Sequence, residues 1–386
     1  MEVYLDNAAT TPLLPEAEAA IREMIPLYGN PSSLHRKGVE AERRLETARR
    51  QVLGALGVRE GRIVFTGGGT EANNLAIFGT LKRHGGRGRH IVTTRIEHPS
   101  VLEPFRALER AGWRVTYVAP DRDGWVPAER VLEAVADDTV LVSVMHVNNE
   151  TGAILPVQEI GRHLRQRPKV IFHVDGIQAF GKIPDCLRQA GADLYTVSGH
   201  KIGAPKGVGA LYIRPGLEIE PVLHGGGQEG GLRSGTENTI GIAALGAAAE
   251  HAAARAKERY ERVSAWCEQF IARLGQIPGC QVHRPREASP YIVSASFPGL
   301  RGEVLVHALE SEGVFVSTGS ACSSRGGHAK ASHVLEAMGL TPAEVTGALR
   351  FSFGWHTEEA AVERAAQVIE QQVKWLYDAV GTGGRR

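Results

Sequence analysis

The sequence has few cysteines and no pattern that would pair them. Only four of the 386 residues are cysteine, namely Cys186, Cys267, Cys280 and Cys322, and their spacing fits neither a disulfide framework nor a zinc site. Aromatic residues are also sparse, at 6% of the chain. The sequence therefore excludes a small disulfide-stabilised scaffold, predicts no metal centre and favours a reducing compartment, the cytoplasm.

Long apolar runs and an excess of one charge are also missing. The longest run of small apolar residues, 240–249, is shorter than a membrane span and is interrupted by Gly241 and Gly246. Residues 1–6 contain no basic segment followed by an apolar one, so we predict no signal peptide. The chain has 44 Lys and Arg against 43 Asp and Glu, and this balance favours neither nucleic acid nor a membrane as a partner.

What the sequence does contain is a repeated alternation of strand-like and helical segments. Seven apolar runs lie between residues 62 and 213, at 63–65, 91–93, 115–118, 140–145, 170–174, 194–197 and 209–213. Such runs, separated by helices, predict an α/β fold with a mostly parallel seven-stranded sheet covered on both faces. The segment before the last run is too short for a crossover helix, so one antiparallel strand is expected there.

The chain is long enough to form two domains. We predict a large domain over residues 12–255 and a small α+β domain formed by residues 1–11 and 256–386. The helical pattern from Asn238 to Leu274 is expected to be one long helix that leaves the large domain. Strand candidates in the small domain lie at 292–297, 314–316 and 349–352.

Two predicted strands end in residues that suit an aldehyde cofactor with a basic ring nitrogen. Asp175 directly follows the run at 170–174, and Lys201 lies shortly after the run at 194–197. A lysine amine forms a Schiff base with an aldehyde, and an aspartate keeps a pyridine nitrogen protonated so that the ring withdraws electrons. Because ligands bind beyond the carboxyl ends of parallel strands, these residues predict a site for pyridoxal 5′-phosphate (PLP).

Each of these residues also has a simpler explanation. Asp175 could serve only as the cap of the following helix, and loop lysines are usually solvated. Lys206 is a rival to Lys201, which we favour because it follows the strand directly and lies beside two possible phosphate donors. Gln178, three residues after Asp175, could reach the phenolic oxygen of the same ring.

A glycine-rich loop at residues 66–71 follows the first strand of the predicted sheet and precedes a helix. Its Gly69 and Thr70 would let backbone amides approach an anion at the helix N-terminus. The loop lacks the lysine of a Walker motif and by itself could be only a tight turn. With Ser198 and His200 as further donors, we interpret it as a phosphate cup.

Cys322 lies in a segment that differs from the surroundings of the other three cysteines. The segment of about residues 317–332 is rich in Gly, Ser and Ala, which predicts an exposed and mobile loop, and the nearby Arg325 and Lys330 favour the thiolate. Free cysteines are usually buried small apolar residues, and we interpret the other three in that way. For Cys322 we prefer a reactive nucleophile on a swinging loop.

Two further polar residues allow both a functional and a structural interpretation. His98 could stack on the cofactor ring and exchange protons with the substrate, or it could be a structural histidine with satisfied hydrogen bonds. Arg350 lies between apolar residues and needs an anionic partner. That partner could be a substrate carboxylate or, by default, a structural ion pair.

Taken together, these motifs resemble those of the cysteine desulfurase family, in the class-V aminotransferase branch of fold-type I PLP enzymes. The resemblance covers nearly the whole chain, from residues 4–12 through 145–152 to 349–352. It is most specific at residues 198–207 and 224–236. It implies a fold-type I PLP-dependent transferase with the cofactor in the large domain.

The resemblance also implies a role for each residue of the site. Lys201 would form the Schiff base, Asp175 would hold the ring nitrogen and Gln178 would contact the ring oxygen. The other cofactor-binding residues would be Gly69, Thr70, His98, Asn148, Ser198, His200 and Thr236, the last reaching in from the second subunit of a homodimer. Asn148 and Arg350 would orient the substrate, and the catalytic residues would be Cys322, Lys201 and His98.

The implied reaction converts L-cysteine to L-alanine. Lys201 would remove the α-proton, and the Cys322 thiolate would attack the substrate sulfur and become a persulfide. The loop would then pass the sulfur to an acceptor protein, such as an iron–sulfur scaffold, for cluster, thio-cofactor or tRNA biosynthesis. The basic residues after Cys322 resemble those of the long-loop group, in which the persulfide passes to a scaffold directly.

Three other functions are left open by the sequence. A selenocysteine lyase or a β-eliminase of the cysteine-sulfinate type would share every residue above except the need for Cys322. A catalytically idle sulfur-assembly scaffold is disfavoured by the joint presence of Lys201, Asp175 and Cys322. A phosphate- or nucleotide-binding protein without PLP is disfavoured by the missing Walker lysine.

Overall fold

A computed structural model describes residues 2–318 and 331–381. The strands are β1 Val3–Tyr4, β2 Arg62–Thr66, β3 His90–Thr94, β4 Arg114–Val118, β5 Thr139–Met145, β6 Ile171–Asp175, β7 Leu194–Ser198, β8 Gly209–Ile213, β9 Gln281–His283, β10 Ile292–Ser296, β11 Val314–Phe315 and β12 Ala348–Ser352. The α-helices are α1 Pro15–Met24, α2 Arg36–Ala55, α3 Gly69–His84, α4 Pro99–Arg110, α5 Ala128–Glu133, α6 Val157–Leu164, α7 Cys186–Ala190, α8 Thr239–Ala254, α9 Ala256–Leu274, α10 Gly302–Ser311, α11 His333–Ala337, α12 Pro342–Thr346 and α13 Glu359–Ala379. None of these described helices is long and apolar enough to cross a membrane.

The largest sheet has seven strands in the order β2-β8-β7-β6-β5-β3-β4. Strand β8 runs antiparallel to its neighbours β2 and β7, and the other pairings are parallel. Every residue of β5, β6, β7 and β8 is buried, as expected for a sheet covered on both faces. The prediction of a mostly parallel seven-stranded sheet with one antiparallel strand is confirmed.

Successive residues of one strand belong to apolar clusters on opposite faces of this sheet. In β6, Ile171 belongs to the cluster that includes residues of α3 and α4, whereas Phe172 belongs to the cluster that includes residues of α2 and α8. Helices α2 and α8 approach each other closely, because a Cβ at Gly246 would lie 2.7 Å from the Cα of Ala48. Only glycine permits this backbone approach.

A second region is built on an antiparallel sheet with the strand order β12-β10-β9. Phe270 of α9 packs edge-on against Phe351 of β12, with ring centroids 5.2 Å apart. Strand β1 pairs in parallel with β11, so the start of the chain joins this region. The pairing is compatible with the division into residues 12–255 against 1–11 and 256–386, which stays a prediction.

The segment from Asn238 to Leu274 forms two helices, so the prediction of one long helix was wrong. Helix α8 ends at Ala254 and α9 begins at Ala256, and Arg255 between them has φ −117° and ψ 5°. Helix α8 packs against α1 and α2, whereas α9 packs against α13. The break therefore lets each helix follow the surface of its own region.

Candidate active site

Several of the side chains predicted to form a site lie together beyond the carboxyl ends of the parallel strands. The sheet register pairs Met145 with Asp175 and Asp175 with Thr196, so the ends of β5, β6 and β7 are neighbours. The positive charge of Lys201 helps to lower the pKa of His98 and opposes the rise in the pKa of Asp175. The amine of Lys201 therefore lies among these groups.

The glycine loop between β2 and α3 forms a cup suited to an anion. It borders a cavity of about 890 Å³ whose lining includes Gly67, Gly68, Gly69, Thr70, Ser198 and His200. Gly68 has φ +147°, a conformation that residues with a side chain rarely adopt. Helix α3, 16 residues long, begins at Gly69. Backbone amides at a helix N-terminus, together with hydroxyl donors, are typical of a phosphate site.

Asp175 lies at the bottom of the site and is 4% exposed. Its Oδ2 accepts a hydrogen bond from Asn73 Nδ2 at 2.8 Å, and its Oδ1 accepts one from the backbone amide of Ile177 at 3.1 Å. Burial raises the pKa of Asp175, while these hydrogen bonds and the charge of Lys201 oppose the rise. A protonated ring nitrogen would supply the further positive charge that a buried carboxylate needs.

Asn73 is a member of the site that the sequence analysis missed. It is buried within α3, and its Nδ2 donates both to Asp175 and to Ser100 Oγ, the latter at 2.9 Å. Ser100 in turn contacts His98, so Asn73 links the predicted ring-nitrogen ligand to the predicted stacking residue. An asparagine inside a helix is unfavourable in itself. This unfavourable position was the feature of the sequence that could have indicated a role for Asn73.

His98 is the N-cap residue of α4, and its ring is neutral. Its Nδ1 accepts a hydrogen bond from the backbone amide of Ser100 at 3.1 Å, so the proton of the neutral ring is on Nε2. Burial lowers the pKa of His98 to about 4, and the charges of Lys201 and His333 add to this effect. The prediction that His98 stacks on a ring and exchanges protons stays a prediction.

Lys201 is half-buried and points its amine at the N-terminal segment of the chain. Its Nζ donates to the carbonyls of Ala8 and Ala9, the latter at 2.7 Å. The carbonyl of Ala8 also accepts a hydrogen bond from Gln178 Nε2 at 2.9 Å, so two predicted cofactor ligands share one acceptor. Lys206, the rival lysine, is exposed beside the cup.

Arg350 is 4% exposed and already has an anionic partner in the structure. One guanidinium nitrogen lies 2.7 Å from Asp6 Oδ1, and another donates to the carbonyl of Asn149 at 3.0 Å. Its Nε is buried and has no hydrogen-bond partner among the described residues. The structural ion pair expected by default is therefore present, and the role toward a substrate carboxylate stays a prediction.

Asn148 has a structural role that the sequence analysis did not foresee. Its side chain is fully buried, with Nδ2 donating to Ile96 O at 2.9 Å and Oδ1 accepting from the amides of Glu150 and Thr151, each at 2.9 Å. These bonds fix the turn after β5. The role of Asn148 toward the cofactor and the substrate stays a prediction.

The predicted nucleophile, Cys322, lies in the segment 319–330, outside the described residues. The chain just before this segment is attached to the site. Ser317 and Arg350 exchange two backbone hydrogen bonds, of 2.7 and 3.2 Å. Cys322 follows Ser317 by five residues in the sequence.

The chain just after the same segment is also attached to the site. Ser332, the N-cap residue of α11, donates a short hydrogen bond to the carboxylate of Glu150. The Nε2 of His333 lies 2.9 Å from the backbone carbonyl of Glu97, next to His98. The segment that carries Cys322 therefore begins and ends at the site.

Thr236, which was predicted to reach a cofactor bound in the second subunit, lies apart from the cup of its own chain. It is exposed and does not line the cavity of about 890 Å³. Val222 and Leu223, which do line that cavity, are 42% and 46% exposed. A contribution of Thr236 from a second subunit stays a prediction.

The fold and the site are those of a PLP-dependent enzyme of fold type I. The cup offers donors for a phosphate, the buried Asp175 suits a protonated ring nitrogen, and Lys201 supplies the amine for an aldehyde. The family profile of aminotransferase class V matches residues 3–365. The chain belongs to that family, and within it to the group of the cysteine desulfurases.

The relatives that define this group resemble the chain over nearly its full length. A cysteine desulfurase IscS of Dictyoglomus turgidum is 40% identical over 378 residues, which cover 97% of this chain and 95% of the relative. A solved NifS-like protein superposes with a TM-score of 0.90 at 36% identity, covering 97% of this chain and 100% of its own. SspA, solved in complex with cysteine, superposes with a TM-score of 0.78 at 34% identity, covering 91% and 98%.

Proposed function

We propose that this chain is a PLP-dependent cysteine desulfurase that moves the sulfur of L-cysteine to Cys322 and releases L-alanine. The observation that carries the proposal is that the segment bearing Cys322 is attached to the site at both its ends, through Ser317 and through Ser332 and His333. The relatives named cysteine desulfurase and the neighbour solved with cysteine support the same substrate.

The residues of the described chain would hold the cofactor through three polar parts, namely its ring nitrogen, its ring oxygen and its phosphate group. When bound, PLP supplies an aldehyde that joins the substrate amine and a ring that withdraws electrons from Cα. Asp175 binds the ring nitrogen and Gln178 the ring oxygen. The phosphate group is held by the cup, which comprises Gly69, Thr70, Ser198 and His200.

Lys201 and His98 handle the protons of the reaction. The amine of Lys201 removes the proton from Cα of cysteine. The neutral ring of His98 holds a proton on Nε2, which it can give to the product skeleton. Arg350 binds the substrate carboxylate through the face that includes its unpartnered Nε.

Cys322 receives the sulfur. Its thiolate attacks the sulfur of the bound cysteine, a new S–S bond forms, and the C–S bond breaks with its electron pair passing to the carbon skeleton. The skeleton takes up one proton at Cβ and regains one at Cα, and it leaves as L-alanine. Cysteine and a thiol thus give alanine and a persulfide, and no external oxidant or reductant is required.

The enzyme acts as a homodimer in which Thr236 of one subunit completes the cup of the other. The exposed apolar side chains of Val222 and Leu223 at the rim of the cavity support this arrangement, because a second subunit would cover them. The persulfide passes to an acceptor protein, such as an iron–sulfur scaffold. Free buried thiols at Cys186 and Cys267 suit a reducing compartment, the cytoplasm.

The proposal is tested by alanine formation from L-cysteine in three proteins. Wild type and Cys280→Ser, a control cysteine to which we assign no role, should form alanine at the same rate. Cys322→Ser should lose about 100-fold or more, because the sulfur then has no nucleophile. Alanine formation by Cys322→Ser at the wild-type rate would contradict the proposal and favour the lyase or β-eliminase alternatives.

A further inference from the structure

Lys182 is a buried cation to which the mechanism above gives no role. It is 7% exposed, and no carboxylate among the described residues forms an ion pair with it. Burial lowers the pKa of Lys182 to about 7, and the positive charges of Lys201 and Arg350 add to this effect. Burying a lysine in such surroundings costs free energy of folding. This cost indicates that Lys182 has a specific role.

The hydrogen-bond partner of Lys182 is Gln178. The two residues lie four positions apart in the turn that follows β6, and Lys182 Nζ donates to Gln178 Oε1 at 2.9 Å. An ammonium group has donors only. The carboxamide oxygen must therefore face Lys182.

The other end of the same carboxamide faces an acceptor. Gln178 Nε2 donates to the carbonyl of Ala8 at 2.9 Å, and a carbonyl can only accept. The two neighbours independently require the same orientation of the amide, although oxygen and nitrogen look alike in an asparagine or glutamine. The orientation is thus fixed by its partners.

The chain of contacts continues to the predicted Schiff-base lysine. The carbonyl of Ala8, which accepts from Gln178, also accepts from Lys201 Nζ. Lys182, Gln178, Ala8 and Lys201 therefore form one connected series that runs from the interior to the site. Gln178 retains a second N–H group in addition to the one given to Ala8.

We propose that Lys182 is a positioning residue that holds the carboxamide of Gln178 with its N–H end toward the site, so that Gln178 can donate to the anionic ring oxygen of PLP. Without Lys182 the amide could rotate and present its carbonyl oxygen, which repels an anionic oxygen. The ammonium form of Lys182 enforces this orientation, because a neutral amine could also accept a hydrogen bond from a rotated carboxamide. The inference rests on the proposed function, since it concerns the binding of that cofactor.

The first test is the affinity of the apoprotein for PLP in Lys182→Met, which keeps the length of the side chain and removes the donor. We expect an about tenfold weaker affinity, which corresponds to about 1.4 kcal/mol. The pH midpoint of the visible band of the bound cofactor should move upward, because the lost donor stabilised the more negative form. Lys169→Met, at an exposed position, should change neither quantity.

A double-mutant cycle with Gln178→Leu separates positioning from a direct effect of the charge. If Lys182 acts through Gln178, adding Lys182→Met to Gln178→Leu should change the PLP affinity little further. Additive losses would overturn the proposal, and so would an unchanged affinity and band midpoint in Lys182→Met alone. Failure of the wild type to bind PLP would instead contradict the proposed function.

Rescue and folding controls complete the test. Lys182→Arg retains a donor and should recover most of the PLP affinity lost in Lys182→Met. Thermal unfolding of each apoprotein shows whether the variant folds. If Lys182→Met does not fold, Lys182→Leu, which also lacks a donor, supplies the comparison, and equal affinities for Lys182→Leu and wild type would contradict the proposal.

Discussion

At the scale of single residues, burial controls the charge of the groups around the site. Burial raises the pKa of Glu97 to about 8, and it lowers the pKa of His98 to about 4 and that of Lys182 to about 7. Each shift favours the neutral form of the group. The unfolded chain would ionise the same groups. Substitutions at these positions should therefore change the free energy of unfolding by an amount that depends on pH.

Glu97 gives the clearest prediction of this kind. Its Oε1 accepts from Thr94 Oγ1 at 2.7 Å and from the amide of Met145 at 2.9 Å, while Oε2 has no partner among the described residues. As pH rises toward 8, the unfolded chain loses the proton that the native Glu97 retains, so wild-type stability falls. In Glu97→Gln this loss should be absent.

The measurement is the free energy of unfolding of the apoproteins in urea at about pH 5 and about pH 8. Glu97→Gln should gain stability relative to wild type as the pH increases between these values. A difference that is the same at both pH values would contradict a raised pKa for Glu97. Glu303→Gln, at an exposed position, is the matched control and should show no such trend.

Site residues that directly follow a strand could be predicted from the sequence. Site residues whose role depends on contacts between different helices and strands could not. Asp175 and Lys201 were recognised because the strand before each is visible as an apolar run. Asn73 and Lys182 were missed because their roles depend on contacts with Asp175 and Gln178 that only the fold creates. The hydrogen bonds by which Asn148 fixes the turn after β5 were likewise not visible in the sequence.

At the scale of elements, the glycine loop depends on a glycine in a strand beside it. A Cβ at Gly209, the first residue of β8, would lie 2.8 Å both from the backbone C of Gly68 and from the carbonyl oxygen of Val197. Both neighbours are backbone atoms, so relieving a clash with an added Cβ requires movement of the loop or of the sheet. The shape of the phosphate cup is thus coupled to the β7–β8 pairing.

Gly209→Ala should therefore weaken PLP binding by about tenfold or more, a loss of about 1.4 kcal/mol or more, because it displaces the loop that binds the phosphate. Equilibrium titration of the apoprotein with PLP measures this change. Gly54→Ala is the matched control, since a Cβ at that exposed helical position meets no atom within 4 Å, and it should leave the affinity unchanged. Equal affinities for the two variants would contradict the coupling.

The seven strands of the large sheet could be predicted because each is a continuous apolar run. The break between α8 and α9 could not, because helical periodicity is a local signal and continues through Arg255, whereas the break follows from packing on two different regions. Strand β1 has only two residues and pairs with β11, at a distant position in the chain. Such a pairing leaves no signal in the local sequence.

At the scale of the whole molecule, the site is built by both regions of the chain. Arg350 of β12 donates to the carbonyl of Asn149 after β5, and His333 contacts the carbonyl of Glu97 beyond β3. A second subunit is the remaining part of the proposed assembly. The exposed apolar rim of the cup at Val222 and Leu223 is where we expect it to bind.

Leu223→Glu should therefore weaken both dimer formation and PLP binding, because it buries a charge in the proposed interface. Sedimentation velocity over a range of concentrations measures the first effect and PLP titration the second. Val380→Glu, at a comparably exposed apolar residue after α13, should change neither. A wild-type protein that sediments as a monomer throughout would contradict the predicted dimer.

The transfer of sulfur to Cys322 is tested most directly by a single turnover of the PLP-loaded enzyme with L-cysteine in the absence of reductant. The products are trapped by alkylation, and the peptides are mapped by mass spectrometry. We predict that Cys322 gains the mass of one sulfur atom and that one alanine is released for each persulfide formed. Release of alanine with no additional sulfur on Cys322 would contradict this prediction.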